Sequence, residues 1–183
     1  MTRVLVGVAA YKTINSRTVE SLLWLAKYSI YDVMFSIQDC CYVVENRSRI
    51  IKDAISHKAD YLLFIDSDMR FYPEILEQLM KHDKDIVGAA YNYRKFPIES
   101  TAKFEGEMPN ELFKVDALGT GMMLIKMSAL EKIPRPWIKM EYNDDGSVKV
   151  GDDVYFCLQA KKAGIEIWCD PTLDVKHIGD YFY

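Results

Sequence analysis

YLLFIDSDMRFYPE, residues 61–74, is an apolar run that breaks off at two aspartates with one serine between them. Tyr61 to Ile65 is too short for an ordinary helix and has no polar position, as expected of a strand covered on both faces. Pro73 and Glu74 suit the first turn of a following helix, where proline needs no amide partner and the helix dipole favours a carboxylate. The stretch therefore predicts a buried strand, an acidic end and a helix. Residues i and i+2 of an extended chain point the same way, so Asp66 and Asp68 are expected to converge past the strand end. Converging carboxylates repel each other unless a positive charge sits between them.

Working outward, the same alternation recurs. Arg3 to Ala9 predicts a first covered strand. Ser16 is the expected cap of a helix with Val19, Leu22, Leu23 and Ala26 at helical spacing. Tyr31 to Ile37 predicts a second strand, and Asn46 the cap of a second helix carrying Ile50, Ile51, Ala54 and Ile55 on one side. Asp85 to Tyr91 predicts a strand after the proline-led helix. Strands and helices joined by short connections indicate an α/β domain with a mostly parallel central sheet flanked by helices. The second half is less regular. Residues 92–109 hold Pro97, Gly106 and Pro109 as breakers and read as a long loop or small hairpin. Short strands are expected around FKVDALG and GMMLIK, then a short helix from Ser128 to Lys132. Asp152 opens a last helix that stops at Gly164. Length and pattern give one domain, 1–183, with a first half over 1–91 and a second over 92–183.

Composition narrows the classes of function. Of the 183 residues 50% are hydrophobic and 27% charged, as in an ordinary globular chain, and the net charge of −4 disfavours a protein that grips nucleic acid by its phosphates. No apolar stretch is long enough to span a bilayer, and the opening MTRVLVGVAAYK reads as a strand rather than a signal peptide. Cys40, Cys41, Cys157 and Cys169 form no Cys-x-x-Cys pair, which fits reduced thiols and a cytoplasmic location.

Three constellations carry chemistry. Ligands of open α/β sheets bind beyond the carboxyl ends of the strands, where Asp66 and Asp68 are expected, and hard oxygen ligands at this spacing suit Mg²⁺ or Mn²⁺. The plain alternative is a solvated turn. In GDDVYFCLQAKKAG, residues 151–164, Asp152 can serve as a helix cap, whereas Asp153 is not needed for capping and can accept a proton from an attacking hydroxyl. His177 follows a short strand and precedes Gly179, where backbone can approach a ligand closely. His57 and His82 read as surface residues. Arg47 and Arg49 either meet an anionic group or form a solvated face.

The order FIDSD, LGTGMMLIKMSALEKI and GDDVYFCLQAKKAGIEIWCDPTLDVKHIG resembles the GT-A fold glycosyltransferases, in particular the family 2-like group, over nearly the whole chain. The opening VLVGVAAYK is similar to that family's nucleotide-binding first strand and loop. The resemblance implies a metal-dependent transfer of a sugar from a nucleoside diphosphate sugar, UDP- or GDP-linked, to an acceptor hydroxyl. It implies that Asp66 helps hold the donor, that Asp68 binds Mn²⁺ or Mg²⁺ bridging the diphosphate, and that His177 completes the metal shell. It further implies that Asp153, or else Asp152, is the base or positions the acceptor, and that Gly119, Thr120 and Gly121 line the sugar and acceptor side. Ala9 and Tyr11 would sit near the nucleoside, with Asp39 a base contact and Arg47 on the donor side. A metal-held His177 would tie the chain terminus, through Tyr183, to the nucleotide. A chain this compact, without an acceptor domain or anchor, suits a phage, viral or minimal bacterial enzyme acting in the cytoplasm, the host's for a phage or virus. The acceptor itself is open, and a nucleic-acid acceptor is not favoured by the net charge.

Two other classes fit parts of the pattern. A haloacid-dehalogenase-type phosphatase also has a strand-end Asp-x-Asp around Mg²⁺, but its nucleophilic aspartate lies near the chain start and its later Gly-Asp ends a strand. A non-catalytic nucleotide-sugar-binding module would keep the fold without needing both metal ligands and the acidic pair.

Overall fold

The structure, a computed structural model, describes residues 1–94 and 97–179. Its first half runs β1 (Arg3–Ala10), α1 (Ser16–Tyr28), β2 (Asp32–Asp39), α2 (Val43–Ser56), β3 (Tyr61–Asp66), β4 (Met69–Arg70), α3 (Ile75–Lys81) and β5 (Ile86–Ala89). The second half adds β6 (Phe113–Val115), β7 (Met122–Lys126), α4 (Met127–Leu130), β8 (Glu141–Tyr142), β9 (Val148–Val150), α5 (Asp152–Lys162), β10 (Ile167–Asp170) and β11 (Lys176–His177).

Seven strands form the central sheet in the order β2-β1-β3-β7-β5-β10-β6. β2, β1 and β3 are parallel neighbours, and β10 lies parallel to β5. β7 runs antiparallel between β3 and β5, and β6 antiparallel at the far edge. Five strands thus share one direction and two oppose it, so the sheet is more mixed than the strand-helix alternation predicts. An apolar run such as MMLIK announces burial but not direction. The chain re-enters the sheet at its carboxyl edge through Gly121, and from there β7 can only run backwards.

Alternate residues of the central strands feed two cores. Leu5, Leu62, Phe64, Met123 and Ile125 pack with α2, α4 and α5 on one face. Val4, Val6, Val8, Leu63, Ile65 and Leu124 pack with α1 and α3 on the other. Coverage on both sides is the reason these strands lack polar alternation.

Several expected helix ends shift. Asn15, not Ser16, caps α1, its side chain accepting from the Arg17 amide. α2 starts before Asn46, which lies buried inside the helix and donates to the carbonyls of Ala10 (2.8 Å) and Cys40 (3.0 Å). Gly151 occupies the cap position of α5, so Asp152 is its first helical residue and caps nothing. α5 does end at the expected place, with Gly164 at φ +75°. His82 is half-buried rather than fully solvated, its Nε2 lying 2.7 Å from the buried Asp170 carboxylate.

Candidate functional site

The site lies at the carboxyl edge of β3, where the turn at Ser67–Asp68 is held on three sides. The Ser67 carbonyl accepts from the Asn15 amide (2.8 Å) and the Thr18 hydroxyl (3.1 Å), and the Asp68 carbonyl accepts from the Ile178 amide (2.8 Å). The turn ends the extended conformation at Asp66, and the two carboxylates do not share one cation. Asp66 is paired with Arg47, while Asp68 is paired with Arg94 and His177. The expected convergence assumed a chain that stays extended for two more residues, and it does not.

Arg47, from the first turns of α2, is buried between two acids. Its Nη2 donates to Asp66 at 2.9 Å and its Nη1 to Asp152 at 2.5 Å. Burial works against the charged guanidinium, but the two carboxylates prevail and hold its pKa above the ordinary arginine range. Arg47 and Arg49 therefore part company: Arg49 lies exposed against Glu45, whereas Arg47 ties α2 to the end of β3 and the start of α5. Both terminal nitrogens of Arg47 are taken by the chain itself. Three buried polar atoms beside this cluster lack a partner among the described residues: Arg47 Nε, Asn46 Oδ1 and Thr120 Oγ1.

Gly119, Thr120 and Gly121 are buried around the hydroxyl of Tyr91, which accepts from the Gly121 amide at 2.8 Å. A Cβ on Gly119 would lie 2.4 Å from that hydroxyl oxygen, and one on Gly121 would lie 2.5 Å from it and 2.8 Å from Asp66 Oδ2. The glycines are required by this tyrosine seat. Burial, then the Asp66 charge, raises the Tyr91 pKa, so the hydroxyl stays protonated. The Tyr91 ring meets the His177 imidazole edge to face, centroids 5.5 Å apart.

His177 reaches Asp68 because β11 pairs antiparallel with β4, placing His177 opposite Met69. Its Nδ1 lies 2.9 Å from the Asn92 carbonyl, which can only accept, so Nδ1 carries a proton. Nε2 then faces Asp68 Oδ1 at 3.3 Å. Hydrogen bonding to Asp68 is the main influence raising the His177 pKa. For Asp68, burial opposes ionisation, but His177 and Arg94 outweigh it and its pKa is lowered. A histidine whose far nitrogen donates to a backbone carbonyl is oriented as metal-binding imidazoles usually are. Among the described residues no three His, Cys, Asp or Glu side chains form a metal cluster. Asp68 and His177 nevertheless fit Mg²⁺ or Mn²⁺, which take few protein ligands and fill their shell with water and phosphate oxygens.

Asp153, at the second position of α5, has Oδ1 engaged by the Val154 amide at 2.7 Å. Burial, chiefly, raises its pKa, with Asp152 and Asp66 adding to the rise and Arg47 opposing it. The acidic pair thus divides: Asp152 is an ion-pair partner, and Asp153 is a carboxylate with raised proton affinity. At the neighbouring strand ends Ala9 is the register partner of Asp66, Tyr11 is exposed, and the Asp39 carboxylate accepts from the Lys12 amide at 2.8 Å. Tyr91 and Arg94 were not legible as site residues. Tyr91 reads as a strand end, and Arg94 falls in the irregular segment. The terminal segment through Tyr183 lies outside the described residues.

No protein-family model matches the chain, and no curated protein matches it. Its fold is shared by 194 chains of solved structures. One of them, the crystal structure of "A197 from STIV", superposes with a TM-score of 0.72 over 98% of this chain and 87% of its own, at 20% identity. The likeness is one of fold alone.

Proposed function

We propose that the protein is a metal-dependent glycosyltransferase of the GT-A type, moving a sugar from a nucleoside diphosphate sugar to an acceptor hydroxyl. The observation that carries this reading is the apposition of Asp68 and His177 across the β4–β11 pairing, on the same edge as Asp153. A divalent cation held there would act as a Lewis acid on the diphosphate leaving group. Arg47 fixes Asp66 and Asp152, leaving Asp153 as the acid whose proton affinity suits base catalysis. In an inverting transfer Asp153 takes the acceptor proton as the acceptor oxygen bonds to the anomeric carbon. The bond from that carbon to the diphosphate breaks, and its electron pair leaves with the phosphate. In a retaining transfer Asp153 orients the acceptor. Ala9, Tyr11 and Asp39 lie at the ends of β1 and β2, where in this reading they would contact the nucleoside.

None of the helices among the described residues is long and apolar enough to cross a membrane. The proposed donor and acceptor meet at this strand edge. The test is release of nucleoside diphosphate from a panel of nucleotide sugars with Mn²⁺. Release by the wild-type protein and not by Asp68→Asn is expected. Equal release by both, or release of phosphate from an aryl phosphate instead, would refute the reading.

A further inference from the structure

Both carboxylate oxygens of Asp68 face cationic or protonatable groups of the chain, Arg94 Nη1 at 2.9 Å from Oδ2 and His177 Nε2 at 3.3 Å from Oδ1. The two partners are held differently. His177 is fixed by strand pairing and by the Asn92 carbonyl. Arg94 belongs to the irregular segment after β5, and its side chain is 55% exposed. Its stem runs over Gly179, with Cδ 3.4 Å from where a Cβ on that glycine would lie. Arg94 also borders, with Tyr91, Tyr93, His177 and Gly179, a cavity of about 470 Å³ beside the carboxylate.

We propose that Arg94 neutralises Asp68 until the donor arrives, yields the carboxylate to the divalent cation, and then binds the donor's diphosphate. The inference rests on the Asp68–His177 site proposed above and goes beyond it by assigning the diphosphate a protein ligand. A cation about 2.1 Å from an Asp68 oxygen would stand close to the guanidinium in its present place, and like charges at that range repel. The diphosphate reverses the balance. Its oxygens, bound to the same cation, bring negative charge within reach of a side chain tethered a few ångströms away. A guanidinium offers paired donors that match phosphate oxygens, which an ammonium does not. Lys176, which also lines the cavity, is already paired with Asp174 at 2.9 Å.

Opposite changes in two affinities form the signature. Arg94→Gln should bind Mn²⁺ alone about two- to fivefold more tightly, because an exposed ion pair no longer competes for Asp68. In saturating Mn²⁺ the same variant should bind UDP or GDP, whichever the wild type takes, about tenfold more weakly, for loss of a charge-assisted hydrogen bond. Arg94→Lys, which keeps the charge and loses the fork, should fall between on the nucleotide. Titration calorimetry of Mn²⁺ and then of nucleotide reads both. If both affinities fall together, or neither changes in Arg94→Gln, the hand-over is overturned while the metal site stands. If wild type and Asp68→Asn bind Mn²⁺ equally, or wild type binds none with or without nucleotide, the metal site itself fails and the hand-over with it.

Discussion

Arg47→Met removes the cation from between two acids while keeping most of the stem volume, so it isolates the charge. Breaking a buried pair by removing one partner typically costs about 3–5 kcal/mol, because the other charge stays buried. Here two carboxylates are orphaned, but unequally: the Asp152 side chain is 7% exposed and that of Asp66 26%, so water can reach Asp66. The lower end, about 3 kcal/mol, is therefore expected. For a domain of this size that lowers the thermal midpoint by about 6–12 °C. A second variant separates charge from packing. Arg47→Lys keeps a cation between the two acids and loses only the fork, so it should recover part of the deficit. Thermal melts of the three proteins at pH 7 provide the assay. A deficit below about 1 kcal/mol in Arg47→Met, or one that Arg47→Lys does not reduce, would show that the guanidinium charge does not hold these elements together.

Asp153→Asn should cut turnover about 10²–10⁴-fold with Mn²⁺-dependent nucleotide binding intact, whereas Asp152→Asn should lower the thermal midpoint by loosening Arg47; the reverse pattern would exchange their roles. Gly119→Ala places a Cβ 2.4 Å from the Tyr91 hydroxyl and should cost about 1–3 kcal/mol, and a double-mutant cycle with Tyr91→Phe should recover part of it. Strict additivity would mean that the tyrosine seat is not the constraint. Burial pushes the Asp170 carboxyl up, but the Thr172 hydrogen bonds and His82 prevail and hold it below its usual range. Its folded pKa being depressed, its stabilisation is present above the ordinary aspartate pKa and is lost as pH falls through the depressed one. Thr172→Val should therefore move the acid-unfolding midpoint to higher pH by weakening that hold, and an unchanged midpoint would contradict it.

How far the sequence reached can be followed residue by residue. Tyr61–Ile65, Arg3–Ala9 and Asp85–Tyr91 announce covered strands because burial on both faces demands uninterrupted apolar side chains, a property of the residues themselves. The positions of Asp66 and Asp68 were legible for the same reason, since a polar residue that stops an apolar run marks where the chain leaves the core. Asp153 was legible as part of a helix start, and His177 from its place between a short strand and Gly179. Local signals were weaker where several residues compete for one role. Asn15 outcompeted Ser16 as a cap, and Gly151 left Asp152 free to serve elsewhere.

Tertiary structure alone decided which charges meet. The pairing of Arg47 with Asp66 and Asp152 joins a helix, a strand end and a second helix far apart in the chain. Helical spacing does put Arg47 on the buried face of α2 with Ile50, Ile51 and Ala54, but it does not say which carboxylates the guanidinium meets there. The direction of β7, the wrapping of Gly119 and Gly121 around Tyr91, and the approach of His177 to Asp68 likewise depend on how the sheet is ordered. An apolar run specifies that it must be covered, and a charge that it must be neutralised or wet. Neither specifies by which partner, since that choice depends on distances that exist only once the chain has closed on itself.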